Sequence, residues 1–135
     1  MAAAEEIEVD VAHAMWRAGD LVVDVRTAAE YGYAHIAGAI NIPLHLIPVR
    51  VRELPPGQVV AVCSLGNRSR RGAEAFARSG REAFSMRGGT KAWARAGLAI
   101  VTGPEPGERD GPSAWQRLSD RFRAVTPGST GSTYS

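Results

Sequence analysis

Cys63 is the only cysteine in the chain, and it ends an apolar run, Val59-Val60-Ala61-Val62, before the polar stretch Ser64-Leu65-Gly66-Asn67-Arg68-Ser69. A single thiol has no disulfide partner and no CxxC partner here, and one cysteine is too few for a cysteine metal site. Its chemistry is therefore that of a lone nucleophile. The β-branched run reads as a buried strand, and the glycine-containing stretch after it as a short loop opening a helix, the place where open α/β sheets bind their ligands. Backbone N–H groups of such a loop and of the first helical turn converge on the sulfur, and with the helix dipole they favour an anion there. Thiols at helix N-termini or beside cations have pKa values of about 3.5–7.5, which gives a reactive thiolate at neutral pH. Arg68, Arg70 and Arg71 add positive potential that favours small anionic substrates. The competing reading is an inert cysteine packed as a small hydrophobe.

Other polar residues fall near the same sheet end. Asp24 interrupts Leu21-Val22-Val23-Asp24-Val25 and Arg26 follows it. The two either border the site or form a buried pair that fixes the fold. His13, His35 and His45 are scattered and do not make a metal site, and His13 and His45 read as surface residues. Trp93 reads as core.

Holding Cys63 in this position requires a sheet, and the pattern supplies one. Ile7–Val9 reads as a first strand, with Asp10 capping a helix whose apolar residues Val11, Ala14, Met15 and Ala18 recur at helical spacing before Gly19. Leu21–Val25 is a second strand, and Ala39–Ile42 a third, stopped by Pro43. Residues Leu44–Leu54 read as a helix broken or restarted near Pro48. Pro55-Pro56-Gly57 turns the chain into the strand that ends at Cys63. A helix is expected over Ser69–Arg78, a strand over Ala83–Met86, a short helix over Thr90–Ala96 and a last strand over Leu98–Val101. Strands alternating with helices indicate an α/β fold around a mostly parallel sheet.

Composition agrees. With 135 residues, 44% hydrophobic and 22% charged, the chain has enough apolar material for one domain and is neither wholly disordered nor collagen-like. A net charge of +2, with basic residues spread among acidic ones, argues against nucleic acid as a partner. No apolar run approaches the roughly 18–20 residues of a membrane span, and the first residues lack signal-peptide character, so no stable membrane insertion and a cytoplasmic location are expected. The body is expected over residues 1–103. Residues 104–135 form a flexible Pro/Gly/Ser-rich tail in which Trp115, Leu118, Phe122 and Val125 mark a short amphipathic helix over 113–125.

Several motifs, in order, resemble those of the single-domain rhodaneses, a family of sulfurtransferases. Asp24-Val25-Arg26 resembles the family's Asp-Val-Arg strand end. The stretch from Glu30-Tyr31 through His35-Ile36-Ala37-Gly38-Ala39-Ile40-Asn41-Ile42-Pro43 resembles its Glu-aromatic-x-x-Gly-His-Ile-x-Gly-Ala-x-Asn-Ile-Pro segment. Cys63-Ser64-Leu65-Gly66-Asn67-Arg68-Ser69 is similar to the active-site loop Cys-x-x-Gly-x-Arg-Ser, and Gly88-Gly89 with Trp93 to the Gly-Gly-x-x-x-Trp segment. One departure is Ala34, where the family usually has glycine. A backbone there at positive φ would be strained.

The resemblance implies a mostly parallel central sheet of about five strands with helices on both faces. It also implies that Cys63 takes the sulfane sulfur of a small anionic donor such as thiosulfate, carries it as a persulfide, and passes it to a thiol or cyanide, with a protein thiol among the acceptor candidates. No metal or organic cofactor is required. Ser64, Leu65, Gly66, Asn67, Arg68 and Ser69 form the cradle, with the Arg68 side chain either structural or substrate-binding, and the His35 segment belongs to a structural turn. Two alternatives come from other classes. A non-catalytic rhodanese-like binding module generally lacks the cysteine. A cysteine-dependent phosphatase or arsenate reductase has a loop one residue longer between cysteine and arginine.

Overall fold

The computed structural model describes residues 4–109. Its strands are β1 (Glu5–Ile7), β2 (Leu21–Asp24), β3 (His35–Ile36), β4 (Ile40–Asn41), β5 (Val59–Val62), β6 (Ala83–Met86) and β7 (Ile100–Val101). The helices between them are α1 (Val9–Ala18), α2 (Ala28–Tyr33), α3 (Ile47–Arg50), α4 (Asn67–Arg78) and α5 (Gly89–Arg95). Five strands make one parallel sheet in the order β1-β6-β5-β2-β4, while β3 and β7 pair antiparallel beside it. The result is an α/β fold with a five-stranded parallel sheet at its centre. From β2 the chain steps outward to β4, and from β5 it steps the other way to β6. The order thus reverses between β2 and β5, and the carboxyl ends of these two strands flank a topological switch point.

β5 is the middle strand and is buried throughout, as a β-branched run covered on both faces must be. Its residues alternate between two cores. Val59, Ala61 and Cys63 lie with Val23, Val25, Ile47, Ala73 and Phe76 under α3 and α4. Val60 and Val62 lie with Ala12, Trp16, Met86 and Trp93 under α1 and α5. Burying a side chain the size of Phe76 contributes about 2–3 kcal/mol.

Several boundaries differ from those the sequence pattern predicts. The first helix starts at Val9, earlier than expected, and Asp10 lies inside its first turn, where its carboxylate accepts from Val11 N–H at 2.9 Å. Helix α4 begins at Asn67, two residues before the expected Ser69. The Leu44–Leu54 segment is a short helix, α3, between two 3₁₀ turns, with Pro48 in the first turn, where a missing N–H costs nothing. Periodicity did not reveal α2, although its start carries a legible capping box: Thr27 Oγ1 accepts from Glu30 N–H, and Glu30 accepts from Thr27 N–H. Ala34 has φ −168°, extended backbone open to any residue, so alanine is unstrained there. His13 is half-buried and stacks on Trp16 at 5.4 Å, a correction to its expected surface place.

Past Gly103 the described chain stays on the body. Pro106 O accepts from Gly38 N–H at 2.6 Å, and Arg109 donates to Trp16 O at 2.8 Å. The helix expected over 113–125 lies outside the described residues. No helix among the described residues is long and apolar enough to cross a membrane.

Candidate active site

Cys63 sits one residue past the end of β5, where the strand stops and the chain must turn within a few residues into α4. Gly66 makes that turn. Its φ of +111° is left-handed, and a Cβ there would stand 3.2 Å from Gly88 N, so the residue must be glycine both for conformation and for the approach of the β6–α5 segment. The turn wraps amides around the sulfur: Gly66 N–H donates to Cys63 Sγ at 3.0 Å and Ser69 N–H at 3.3 Å. Burial pushes the thiol up. Hydrogen bonds from the Ser69 hydroxyl and from the Ser69, Gly66 and Leu65 N–H groups outweigh it and hold the thiol below its ordinary value. The sulfur lies at the N-terminus of a helix of 12 residues, whose dipole favours negative charge there. Only 1% of Cys63 is exposed.

The loop is held from beneath by α5. Thr90 N–H and Thr90 Oγ1 both donate to Cys63 O, at 2.7 and 3.0 Å, and Lys91 N–H donates to Ser64 O at 3.3 Å. With its carbonyls facing α5, the loop turns its amides towards the sulfur. Gly89 makes this close seating feasible, because a Cβ on it would stand 2.4 Å from Cys63 O.

The residues singled out from sequence divide between the site and its supports. Leu65, Gly66 and Ser69 contribute donors to Sγ, Ser64 carries the loop over α5, and Asn67 is the exposed first residue of α4. The Leu65 side chain is 61% exposed and forms an apolar rim. Arg68 points its side chain at Glu30. Its guanidinium donates to both oxygens of Glu30, at 2.8 and 3.0 Å, and holds that carboxyl down at about 2. Arg70 and Arg71 are exposed. Asp24 and Arg26 form a buried pair, with Arg26 Nη2 donating to Asp24 Oδ2 at 2.7 Å and to Ala34 O at 2.6 Å. The pair ties the end of β2 to the exit of α2, beside the strand that carries Cys63. Both nitrogens of His35, which is fully buried, face carbonyl oxygens, those of Tyr31 and Pro106.

Three supporting residues escaped sequence reasoning. Glu30 anchors Arg68, and the capping box that opens α2 was the unread signal for it. Thr90 follows the glycine pair and binds the Cys63 carbonyl. Ser85, on β6, is fully buried and reaches Ser69 Oγ at 2.8 Å; a lone serine in an apolar strand was its signal.

A family model described as a rhodanese-like domain matches residues 8–96. A protein of Allochromatium vinosum named a sulfurtransferase is 42% identical over 83 residues, which cover 60% of this chain and 78% of that protein. Among solved structures, a rhodanese-related protein from Thermoplasma volcanium has a TM-score of 0.66 at 25% identity, covering 75% of this chain and 99% of the other. A thiosulfate sulfurtransferase from Pseudomonas aeruginosa has a TM-score of 0.67 at 25% identity, covering 90% of this chain and 27% of its own length.

Proposed function

Because this chain belongs to the rhodanese-like domain family, we propose that it is a sulfurtransferase that moves sulfane sulfur from a donor such as thiosulfate through a persulfide on Cys63. The observation that carries the reading is the pair of amides on one sulfur, Gly66 N–H at 3.0 Å and Ser69 N–H at 3.3 Å, which help hold the thiol below its ordinary value. The Cys63 thiolate attacks the outer sulfur of thiosulfate. A bond forms between Sγ and that sulfur, the sulfur–sulfur bond of the donor breaks, and its electron pair leaves with sulfite. An acceptor thiolate or cyanide then attacks the outer sulfur of the persulfide. The products are the acceptor's persulfide or thiocyanate, and the Cys63 thiolate returns. The same amides stabilise the charge in each step, as an oxyanion hole stabilises oxygen. No proton has to move if Cys63 starts ionised, so His35 is a structural residue. Exposed Leu65 on the loop and exposed Arg70 and Arg71 in the first turns of α4 suit a small anionic donor.

Geometry also weighs against the phosphatase alternative. A tetrahedral oxyanion needs a wide ring of donors closed by a bidentate arginine, whereas the Arg68 guanidinium is taken by Glu30. A lone unpaired thiol fits a reducing compartment, and the cytoplasm is the location we assign. We place the catalytic unit in the described body, with residues 104–109 as part of it.

Intact-protein mass spectrometry after thiosulfate treatment tests the proposal. A gain of one sulfur atom, absent in Cys63→Ser, is the expected result, and Cys63→Ser should melt with the unmodified protein while losing transfer to cyanide. Absence of the added sulfur, or near-normal turnover by Cys63→Ser, refutes it.

A further inference from the structure

Two donors of one residue converge on the carbonyl of Cys63. Thr90 N–H reaches Cys63 O at 2.7 Å, and Thr90 Oγ1 reaches it at 3.0 Å. A carbonyl oxygen only accepts, so the single hydroxyl proton of Thr90 must lie on this bond. Among the described residues it is the one hydrogen bond of the Thr90 side chain, which is buried.

The two residues work from opposite faces of the sheet. Cys63 packs in the core under α3 and α4, whereas Thr90 belongs to α5, which covers the other face. The Cys63–Ser64 peptide is planar and trans, so its N–H points opposite to its C=O. Drawing Cys63 O towards α5 therefore aims Ser64 N–H at the face on which Sγ lies. Among the described residues this N–H has no acceptor. The amides already on Sγ, those of Gly66 and Ser69, lie further along the loop and in α4, and no bond to Thr90 fixes them.

We propose that Thr90 is a positioning residue for the sulfur-loaded state: its hydroxyl locks the Cys63–Ser64 peptide so that Ser64 N–H is presented to the outer sulfur of the persulfide. This rests on the reading of Cys63 as the sulfur carrier. In the unloaded protein the charge sits on Sγ, where the Gly66 and Ser69 amides meet it. After loading it sits one bond further out, and a further donor is needed there. One donor on a carbonyl lets the peptide swing about that contact; two donors from one buried residue fix its plane.

The test compares Thr90→Val, which keeps the shape and the backbone N–H but lacks the hydroxyl, with Thr90→Ser, which keeps the hydroxyl. Each protein is loaded with inorganic polysulfide in the presence of sulfide. Sγ attacks a terminal sulfur, the adjacent sulfur–sulfur bond breaks, and its electron pair leaves on the shortened polysulfide. Intact-protein mass spectrometry reads the fraction carrying one added sulfur at a fixed ratio of polysulfide to sulfide. In parallel, the sulfur-free proteins are alkylated with iodoacetamide across pH. Cys63 is the one cysteine of the chain, so that titration has a single source.

Thr90→Val should load with an equilibrium constant about fivefold below that of the unmodified protein, the worth of one hydrogen bond, and Thr90→Ser within about twofold of it. The alkylation midpoints of all three should coincide. Thr90→Ala, which only removes atoms, replaces Thr90→Val if valine prevents folding. Equal loading of the hydroxyl and non-hydroxyl forms overturns the proposal. A midpoint that moves together with the loading overturns it too, because Thr90 would then be a general support of the loop. Polysulfide loading needs no thiosulfate. An unmodified protein that loads from polysulfide yet takes no sulfur from thiosulfate refutes the sulfurtransferase reading alone, and the loading constants still judge Thr90; one that loads from neither refutes both.

Discussion

Replacing Gly89 by alanine should leave a protein that still folds, at lower stability, but transfers sulfur about 100-fold more slowly. Gly89 has φ +64°, and its added Cβ would stand 2.4 Å from Cys63 O and 2.5 Å from Ser64 C and O. These are backbone atoms of the loop, and no flexible side chain can yield in their place. A carbon needs roughly 3.2 Å or more from a carbonyl oxygen, so loop and helix must separate by about 0.8 Å. The separation stretches the bonds from Thr90 and Lys91 to the loop carbonyls and carries Cys63 away from its cradle. The left-handed backbone costs about 1 kcal/mol and the overlap about 1–3 kcal/mol. A total of about 2–4 kcal/mol corresponds to a fall of roughly 10–25 °C in melting temperature for a domain of this size. A displacement approaching 1 Å at a reacting atom costs about 100-fold in rate. The assay is thiocyanate formation from thiosulfate and cyanide, run well below the lowered melting point. Gly80→Ala is the control: Gly80 has φ +88° but nothing within 4 Å of the added carbon, so it should lose about 1 kcal/mol and keep its rate. If Gly89→Ala turned over within twofold of the unmodified protein, or Gly80→Ala lost as much activity, the seating of the loop on α5 would not matter as argued.

Two further predictions concern supports of the site. Glu30 is held at about 2 against an ordinary 4.5, so its pairing with Arg68 stabilises the fold fully above about pH 4.5 and is lost as pH falls through about 2. The full shift would correspond to about 3.4 kcal/mol, but the two side chains are 35% and 37% exposed, and solvent screening reduces this to about 1 kcal/mol. Glu30→Gln should therefore lower the urea midpoint at pH 7 and converge with the unmodified protein near pH 2; an equal deficit at both pH values would contradict the ion-pair account. A chain ending at residue 103 loses the Pro106 carbonyl that accepts from Gly38 N–H, whereas one ending at 109 keeps it. The shorter chain should be less stable by about 1–3 kcal/mol, and equal melting temperatures for the two would place the end of the body at Gly103 instead.

Elements whose residues carry a local signal were legible in the sequence. The runs Leu21–Val23 and Val59–Val62 announce buried parallel strands, because a sheet covered on both faces accepts short continuous runs rich in valine. Gly66 and Gly80 bracket α4, although the helix starts two residues before the apolar periodicity does, since its first turn, Asn67-Arg68, faces the site and solvent. Long-range pairings were not legible. Nothing in the spacing of Arg68 points to Glu30, 38 residues earlier, and the register that sets Ser85 beside Ala61 is a property of the assembled sheet. The pairing of Leu98–Val101 was equally hidden: two of its residues, Ile100 and Val101, join Ile36 and His35 outside the main sheet. The loop itself was the easier case, because its donors are backbone amides placed by a glycine, and they depend little on partners far along the chain.

The depth of Cys63 also governs how the protein ages under oxidants. A disulfide between two copies needs Cα atoms within about 7 Å, which a sulfur with 1% exposure at the floor of a loop cannot offer to another of its kind. Peroxide is small enough to reach it, and the sulfenic acid it produces finds no second thiol in this chain to condense with. Rescue then depends on a small thiol arriving before a second peroxide drives the sulfur to the irreversible sulfinic state. In the sulfur-loaded form the oxidant meets the outer sulfur first, and the bond beneath it remains reducible. A protein that holds sulfur on Cys63 as proposed is thus shielded by it, and survival in peroxide should track the fraction of Cys63 already carrying sulfur.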